Sequence, residues 1–220
     1  MEFMGVLSCL SLLLAAAAAQ VPEPCVSPPR MTGAFTVMAA NVSCSGQISY
    51  DAFGQKIRVR STGLASSETF YVDQLMLFRQ KVYYEIDWLK SSCKKKPLDT
   101  AFIPMQVPFD AHATMQMFLG SSASWGMGVL VNSWSGVLPN NGYYTGVFTE
   151  IGCIPMTFFS YMPTSGWSMI STFNWVLGNT NPMDFAPPSF CAKSKLEVTE
   201  TPDNMFTALQ ALALKTKTGD

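Results

Sequence analysis

Lys56-Ile57-Arg58-Val59-Arg60 alternates strictly between basic and apolar side chains. Successive side chains of a β-strand point to opposite faces of a sheet, so this stretch predicts a strand with apolar residues inside and basic residues outside. A turn-forming stretch, Asp51-Ala52-Phe53-Gly54, separates it from another strand-like run, Gln47–Tyr50. The centre of the fold is therefore expected to be β-sheet.

Further runs of this kind follow at intervals of roughly 8–12 residues, which is typical of antiparallel sandwiches and barrels. A hairpin is predicted from Phe70–Phe78 and Val82–Trp88, turning at Arg79-Gln80-Lys81, and a basic loop is expected at Lys94–Pro97. The later predicted strands, which are separated by proline and glycine turns, are Val129–Trp134, Tyr143–Ile151, Met156–Tyr161 and Trp167–Leu177. The fold class is therefore predicted to be all-β.

One helix is expected near the carboxyl end. From Asp203 to Lys215, apolar side chains fall on one helical face, and Thr201 or Asp203 can cap its start. The alternative is a frayed tail. We treat residues 199–220 as a tail beyond the main β domain, which is expected to span residues 20–198.

The amino-terminal residues predict secretion. Gly5–Ala19 is an apolar, alanine-rich run that ends in an Ala17-x-Ala19 pattern and is followed by prolines. A membrane span needs about 20 apolar residues, so this run is better interpreted as a signal peptide over residues 1–19. Cleavage is expected after Ala19 or Gln20, and an uncleaved anchor is the alternative. No transmembrane segment is expected in the rest of the chain.

The composition points away from nucleic acids. The net charge is −1, and removal of Glu2 with the signal leaves 14 acidic and 14 basic residues. Charged residues make up only 13% of the chain, against a usual fraction of about 25%. Phenylalanine and methionine are abundant instead, with 15 and 14 residues. This excess predicts either a large core or apolar surface that meets a ligand or partner.

Five cysteines remain after the signal: Cys25, Cys44, Cys93, Cys153 and Cys191. In an oxidising compartment most of them should form disulfides, but spacing alone does not assign the pairs. Because the number is odd, one thiol is either free or joins two chains.

Nothing in the sequence indicates catalysis. The chain has one histidine, His112, and lacks the Gly-x-Ser-x-Gly, His-Glu-x-x-His and phosphate-loop motifs. We therefore expect a surface histidine, not part of a Ser-His-Asp triad, and no enzyme. The sequence has no calcium loop of the Asp-x-Asp-x-Asp-Gly type. Its scattered carboxylates, expected to be solvated unless the fold brings them together, are Asp51, Asp73, Glu85, Asp87, Asp99 and Asp110.

Several blocks of the chain resemble the ependymin family, and they run in order from about Cys25 to Cys191. These blocks are Ser49–Arg58, Tyr84–Asp87, Cys93–Leu98, Leu119–Ser122, Leu130–Trp134, Gly152–Pro155 and Pro187–Cys191. The resemblance is closer to the brain-type ependymins than to the mammalian ependymin-related proteins.

The resemblance implies two stacked antiparallel sheets that form a curved half-barrel around a hydrophobic pocket. It also implies a homodimer, calcium as a bound ion, extracellular matrix or glycan contact, and secretion, with the lysosomal lumen as a second location. The disulfides it implies are Cys25–Cys153 and Cys93–Cys191, which leaves Cys44 unpaired.

Glycosylation departs from the family pattern. Many members carry a sequon before the cysteine of the Cys-Lys-Lys-Lys block, where this chain has Lys90-Ser91-Ser92. The one sequon here is Asn41-Val42-Ser43, so Asn41 is the predicted glycosylation site. If calcium binding in the family depends on glycans at the usual positions, this chain lacks the sequon on which it would depend.

Two binding hypotheses follow. The first is a hydrophobic ligand, such as a fatty acid, lipid or ganglioside, held between sheets, with ordinary core packing as the alternative. Its candidate pocket residues are Leu119, Val129, Val131, Trp134, Val147, Phe158, Phe173, Trp175 and Leu177. The second is a calcium-responsive cell–matrix adhesion protein that acts by surface contact and self-association. Lys94–Lys96 could meet anionic lipid or sialylated glycan, or could be solvated.

Overall fold

The structure is a computed structural model that describes residues 22–39, 42–65, 68–99, 101–138, 141–163, 166–178 and 180–197. Three sequence predictions lie outside these residues: the signal peptide over 1–19, the glycosylation site Asn41 and the helix from Asp203 to Lys215. Among the described residues there is no helix of the length and apolarity that a membrane crossing requires.

Eleven strands form one antiparallel sheet in the order β6-β5-β4-β3-β2-β1-β11-β10-β9-β8-β7. The strands are β1 (Arg30–Ala39), β2 (Val42–Asp51), β3 (Lys56–Ala65), β4 (Glu68–Leu77), β5 (Val82–Asp87), β6 (Ser92–Pro97), β7 (His112–Gly120), β8 (Gly128–Leu138), β9 (Gly142–Thr149), β10 (Pro155–Met162) and β11 (Gly166–Leu177). Short 3-10 helices span Phe78–Gln80, Pro182–Phe185 and Ser189–Lys193.

The all-β prediction is confirmed, and the sheet is unclosed, with β6 and β7 as its outermost strands. The two expected sheets are continuous with each other. The strands β1–β6 and β7–β11 each pair with their neighbours in sequence, and the ladder between β1 and β11 joins the two groups.

The predicted hairpin of β4 and β5 is confirmed, since Leu77 pairs with Val82 across the short helix Phe78–Gln80. The prediction of a loop at Lys94–Pro97 was wrong, because these residues belong to β6 and pair with β5. Lys95 forms a further bridge to Leu196. Lysines are common on edge strands, where they discourage pairing with other chains.

One side of the sheet, here called the core face, holds the main hydrophobic core. Directly paired residues share a face, and the core-face residues buried from β1 to β4 include Phe35, Val37, Ile48, Tyr50, Ile57, Val59 and Met76. Residues 101–111, here called the cover segment, lie over this face. Met105 of the cover segment donates its N–H to the Tyr50 hydroxyl at 3.0 Å, and Phe102 stacks near the same ring.

The opposite side, here called the outer face, is buried in its β3–β6 part by the carboxyl-terminal residues 182–193. Phe185 and Cys191 pack there against Leu75, Leu77 and Tyr84. The basic residues of β3 therefore lie on the face opposite the main core, as expected, but Arg58 is not exposed to solvent, since its side chain is only 3% exposed.

Burial of Arg58 is possible because its guanidinium is paired with a carboxylate and a carbonyl oxygen. It donates two hydrogen bonds to the Asp73 carboxylate, at 2.9 and 2.8 Å, and a third at 3.0 Å to the Asp184 carbonyl. Arg60 adds a 3.2 Å contact to the Asp184 carboxylate, and the Trp88 indole donates to Asp73 at 2.6 Å. This network fastens the carboxyl-terminal residues to the outer face.

Two disulfides have the pairing that the family resemblance implies. Cys25–Cys153, with 5.9 Å between its Cα atoms, ties the amino-terminal lead-in to the connection between β9 and β10. Cys93–Cys191, with 5.1 Å between its Cα atoms, ties β6 to the carboxyl-terminal residues. Cys44 forms no disulfide within the described residues; its thiol is buried on the core face, and burial raises its pKa.

Removing the Asp73 carboxylate should strongly destabilise the fold. Asp73→Ala leaves the Arg58 charge buried without its partner, so we expect a loss of about 3–5 kcal/mol in the free energy of unfolding. The measurement is urea denaturation with the disulfides intact.

Asp87→Ala is the matched control, because Asp87 pairs with Lys90 at the surface and its side chain is 41% exposed. Such pairs contribute about 0–1 kcal/mol. Equal losses from the two variants would contradict a structural role for the buried pair.

Candidate functional site

The sheet divides the nine predicted pocket residues between its two faces. The register places Trp134 and Phe158 in one core-face row that continues through Ile170 and Val37. Five others lie on the outer face by the same register: Leu119, Val129, Val131, Val147 and Phe173. The nine residues therefore do not form one pocket.

A β-bulge decides the position of Trp175. Phe173 pairs with Ala34, and Val176 pairs with Thr32, so β11 has one extra residue opposite Gly33. Asn174 adopts a left-handed backbone conformation, with φ of 56°, which asparagine tolerates better than most residues. The bulge turns Trp175 onto the core face, where its ring lies directly over Gly33.

The core face of β8–β10 is built from aromatic rings that lie on glycines. A Cβ atom at Gly136 would be 2.5 Å from the Tyr144 hydroxyl, so the Tyr144 ring occupies that space. The same ring stacks on Phe158, with 5.5 Å between centroids. Gly146 lies directly opposite Trp134. Because Gly146 has no side chain, the rings of Phe148 and Phe158 occupy the space beside the indole.

Two polar atoms in this region are buried without a hydrogen-bond partner in the described part of the chain: Trp134 Nε1 and the Tyr144 hydroxyl. Trp134 is 2% exposed and Tyr144 is 6% exposed. Val107 packs with Trp134 and Phe148 from the cover segment, next to the Cys25–Cys153 disulfide. Native proteins satisfy most buried polar atoms, so two neighbouring exceptions need a physical explanation.

Burial raises the pKa of Tyr144 to about 12, and the negative charge of Asp110 in the cover segment contributes to the same shift. The hydroxyl therefore remains protonated at neutral pH and is available as a donor.

An apolar hollow of about 430 Å³ lies at the edge of the core face, close to Met31, and Leu177 is the one pocket candidate that lines it. Its other lining residues are Pro28, Pro29, Arg30, Phe53 and Gly178. Arg30 lies over the Phe53 ring at 5.4 Å and is paired with Asp51 at 3.5 Å, so its charge is already compensated.

The outer face of β8–β11 and β1–β3 carries exposed apolar side chains. Val137, Tyr143, Tyr161 and Trp167 form one row across four strands, and they are 37–74% exposed. Met38 and Leu64 extend this surface onto β1 and β3. We call these six residues the outer patch.

The rows beside the outer patch carry hydroxyl and apolar side chains and no charged ones among the described residues. The row next to Met38 and Leu64 holds Val147 and the hydroxyl-bearing residues Ser133, Thr157, Ser171, Thr36, Ser45 and Thr62. Tyr143 stacks on Tyr161, with ring centroids 5.4 Å apart. The patch is therefore uncharged and partly ordered by its own ring contacts.

The predicted polar sites are dispersed. Within the described ranges there is no group of three or more His, Cys, Asp or Glu side chains that could hold a metal ion, so no calcium ligand set is assigned. Of the six carboxylates considered, four pair with basic side chains: Asp73 and Glu85 with Arg58 and Lys96 at 2.8 Å each, and Asp51 and Asp87 with Arg30 and Lys90 at 3.5 and 3.7 Å. Lys95 and Lys96 also lie over the rings of Tyr84 and Tyr83. His112 begins β7 and is exposed.

Sequence reasoning missed Tyr143 and Tyr144. Their adjacency in one strand requires that they point to opposite faces, which was a usable signal. The glycines beneath the rings, above all Gly136, could not be recognised from the sequence, because only the strand register shows which side chain lies over each of them.

The fold and the disulfides define a class: an all-β protein with one unclosed sheet, stapled at two places and carrying an aromatic core face. An uncharacterised conserved protein from Thermus thermophilus has a similar fold, with a TM-score of 0.53 over 87% of this chain and 99% of that one. At 8% identity, that likeness concerns the fold alone.

The Ependymin family model matches residues 66–191. Among curated relatives, the chain is 34% identical to Ependymin-2 of Oncorhynchus mykiss over 186 residues and 35% identical to Ependymin-2 of Salmo salar over 187 residues, which is 82% of each chain in both cases. It is 33% identical to Ependymin of Esox lucius over 81% of this chain and 82% of that one. The chain belongs to the ependymin family. Membership supports an extracellular protein, and the family is not known as enzymatic.

The buried hydroxyl of Tyr144 should be visible in a tyrosine titration. The absorbance difference between the wild type and Tyr144→Phe is expected to show one ionisation at about pH 12, above the ordinary value of 10. Because the pKa is higher in the folded than in the unfolded protein, ionisation of this group favours unfolding. The free energy of unfolding should therefore be independent of this group below about pH 10 and should fall as the pH rises to about 12. A difference step near pH 10 would show that the hydroxyl is solvated.

Proposed function

We propose that this protein is a secreted binder of a hydrophobic ligand, such as a fatty acid, lipid or ganglioside, that lies on the core face of β8–β10 beneath the cover segment. The observation that carries the proposal is the aromatic surface of Trp134, Tyr144, Phe148 and Phe158, in which two buried donors lack protein acceptors among the described residues. Ligand sites are usually apolar surfaces with a few polar groups that fix orientation, and this region has that composition.

The cover segment supports the proposal because few described bonds hold it. Val107 N–H donates to the Cys25 carbonyl at 2.9 Å, and the Met105 carbonyl accepts from Ser27 N–H at 2.9 Å. Cys25 and Ser27 belong to the amino-terminal lead-in, which the Cys25–Cys153 disulfide fixes to the sheet. One further bond, from Met105 N–H to the Tyr50 hydroxyl at 3.0 Å, reaches the sheet directly. A ligand can therefore reach the rings by displacing a segment that is not itself part of the sheet.

Uptake of diphenylhexatriene, a fluorescent hydrocarbon, tests this function on delipidated mature protein. We expect saturable binding, and we expect Phe158→Ala to weaken it about tenfold, because each lost methylene contact removes about 0.8 kcal/mol. The measurement is fluorescence titration, with near-ultraviolet circular dichroism to confirm that the variant folds.

Phe159→Ala is the matched control. Phe159 is the next residue of β10, it has intermediate exposure like Phe158, and its register places it on the outer face beside Met169. Binding that falls equally in both variants would place the probe elsewhere, and a wild type that takes up no probe would contradict the proposed function.

The outer patch favours a second candidate function, adhesion through self-association. Its six residues form an exposed, uncharged surface, and tyrosine and tryptophan are enriched at protein interfaces. A second copy of the same chain, related by a two-fold axis, would bring like surfaces together without opposing charges. Calcium binding and contact with matrix or glycan belong to this candidate by family relationship, as does a lysosomal location.

Sedimentation equilibrium, with and without millimolar calcium, tests this candidate. Trp167→Lys places a charge in the outer patch and should weaken dimerisation at least about tenfold. Trp125→Lys is the control, because Trp125 is fully exposed in the connection between β7 and β8 and lies outside the patch. A dimer that survives Trp167→Lys would exclude the patch as its interface, and a mass unaffected by calcium would exclude calcium control.

A further inference from the structure

We infer that the ligand of the core face is an uncharged lipid whose ester or amide carbonyl accepts hydrogen bonds from Trp134 Nε1 and the Tyr144 hydroxyl. The inference rests on the proposed function and specifies the chemical class that the same site selects.

The two donors are neighbours on one face. Trp134 and Gly136 are two residues apart in β8, so their side-chain positions are about 7 Å apart on the same side of the sheet. The Tyr144 hydroxyl lies over Gly136, 2.5 Å from the position of a Cβ atom there. The hydroxyl therefore lies one residue pair along β8 from the base of the indole, on the same face, so one head group placed there lies beside both side chains.

The chemistry of the two groups calls for an acceptor. An indole nitrogen can only donate, and a protonated phenol without a partner also has its donor unused. Each buried donor that stays unpaired costs about 1–3 kcal/mol. Ligand oxygens placed between them would remove both costs, whereas a pure hydrocarbon would remove neither.

The electrostatics favour a neutral oxygen over a carboxylate. The charge that acts on Tyr144 is the negative carboxylate of Asp110, which would repel a fatty acid anion. Burial of an ionised carboxylate also costs far more than burial of a carbonyl unless a cation pairs with it. A neutral carbonyl oxygen in the same place is not repelled by Asp110 and carries no charge that must be desolvated.

The neighbouring hydroxyls do not compete for these donors. Ser160 lies directly opposite Tyr144 in β10, and its hydroxyl is bonded to that of Ser168 at 2.8 Å. The Tyr144 hydroxyl lies over Gly136 of β8 and forms no hydrogen bond to Ser160. Neither donor has an acceptor among the described residues, so we infer that the acceptor comes from outside the sheet.

Displacement of bound diphenylhexatriene tests the inference, with three competitors of equal chain length: monolauroylglycerol, laurate and dodecane. For the wild type we expect monolauroylglycerol to bind at least about tenfold more tightly than laurate. Tyr144→Phe keeps the stacked ring and removes only the hydroxyl, so it should weaken monolauroylglycerol about three- to tenfold and leave dodecane unchanged.

Tyr143→Phe is the matched control, because the adjacent Tyr143 is on the outer face and 49% exposed. It should bind all three competitors as the wild type does. The inference is overturned if Tyr144→Phe binds monolauroylglycerol with wild-type affinity, which would mean that water satisfies the donors, or if laurate binds as tightly as monolauroylglycerol. If either of these results is found while the wild type still binds diphenylhexatriene, the proposed function stands and only the inference is lost. If the wild type takes up no diphenylhexatriene, both the proposed function and the inference are overturned.

Discussion

The ladder between β1 and β11 is the constraint on which the rest of the structure depends. Every other strand pair in the sheet joins neighbours in sequence, whereas Met31 pairs with Leu177 and Ala39 pairs with Ser168. This ladder turns two local meanders into one sheet and sets the register between them. Cys25–Cys153 supports it, because the disulfide joins residues that precede β1 and follow β9, 128 positions apart in sequence. The long loop that the ladder must close has an entropic cost, which the broad apolar core on the same face offsets.

The local strands could be predicted from the sequence, but the ladder and the faces could not. Alternation and turn residues are short-range signals, so they identify β3 from Lys56–Arg60 and the β4–β5 hairpin from its turn. Pairing between strands at opposite ends of the domain leaves no local pattern. The face of each side chain could not be predicted for a related reason, since the bulge at Asn174 places Trp175 on the face opposite Phe173, although both were candidate pocket residues. Arg58 was also misjudged, because only the carboxyl-terminal residues beyond β11 show that its side of the sheet is covered.

The two faces are held by different physical means. Apolar packing under the cover segment dominates the core face, and the described bonds to that segment are few. On the outer face, residues 182–193 are fastened by the Arg58–Asp73–Asp184 network and by Cys93–Cys191. A buried ion pair fixes geometry more reliably than it adds stability, because desolvation opposes its attraction. The outer attachment is therefore fixed by ion pairs, hydrogen bonds and a disulfide, whereas the cover segment is held mainly by apolar packing.

Tyr143 and Tyr144 show how one strand serves both faces. Tyr143 exposes its ring and stacks on Tyr161, while Tyr144 buries its ring over Gly136 and leaves its hydroxyl without an acceptor among the described residues. A residue selected only for stability at position 144 would be phenylalanine, which fills the same space and has no donor to satisfy. A tyrosine hydroxyl that stays unpaired costs stability that phenylalanine would keep, so an acceptor from outside the sheet, whether water or ligand, gives the hydroxyl its physical rationale. The same argument applies to the indole nitrogen of Trp134.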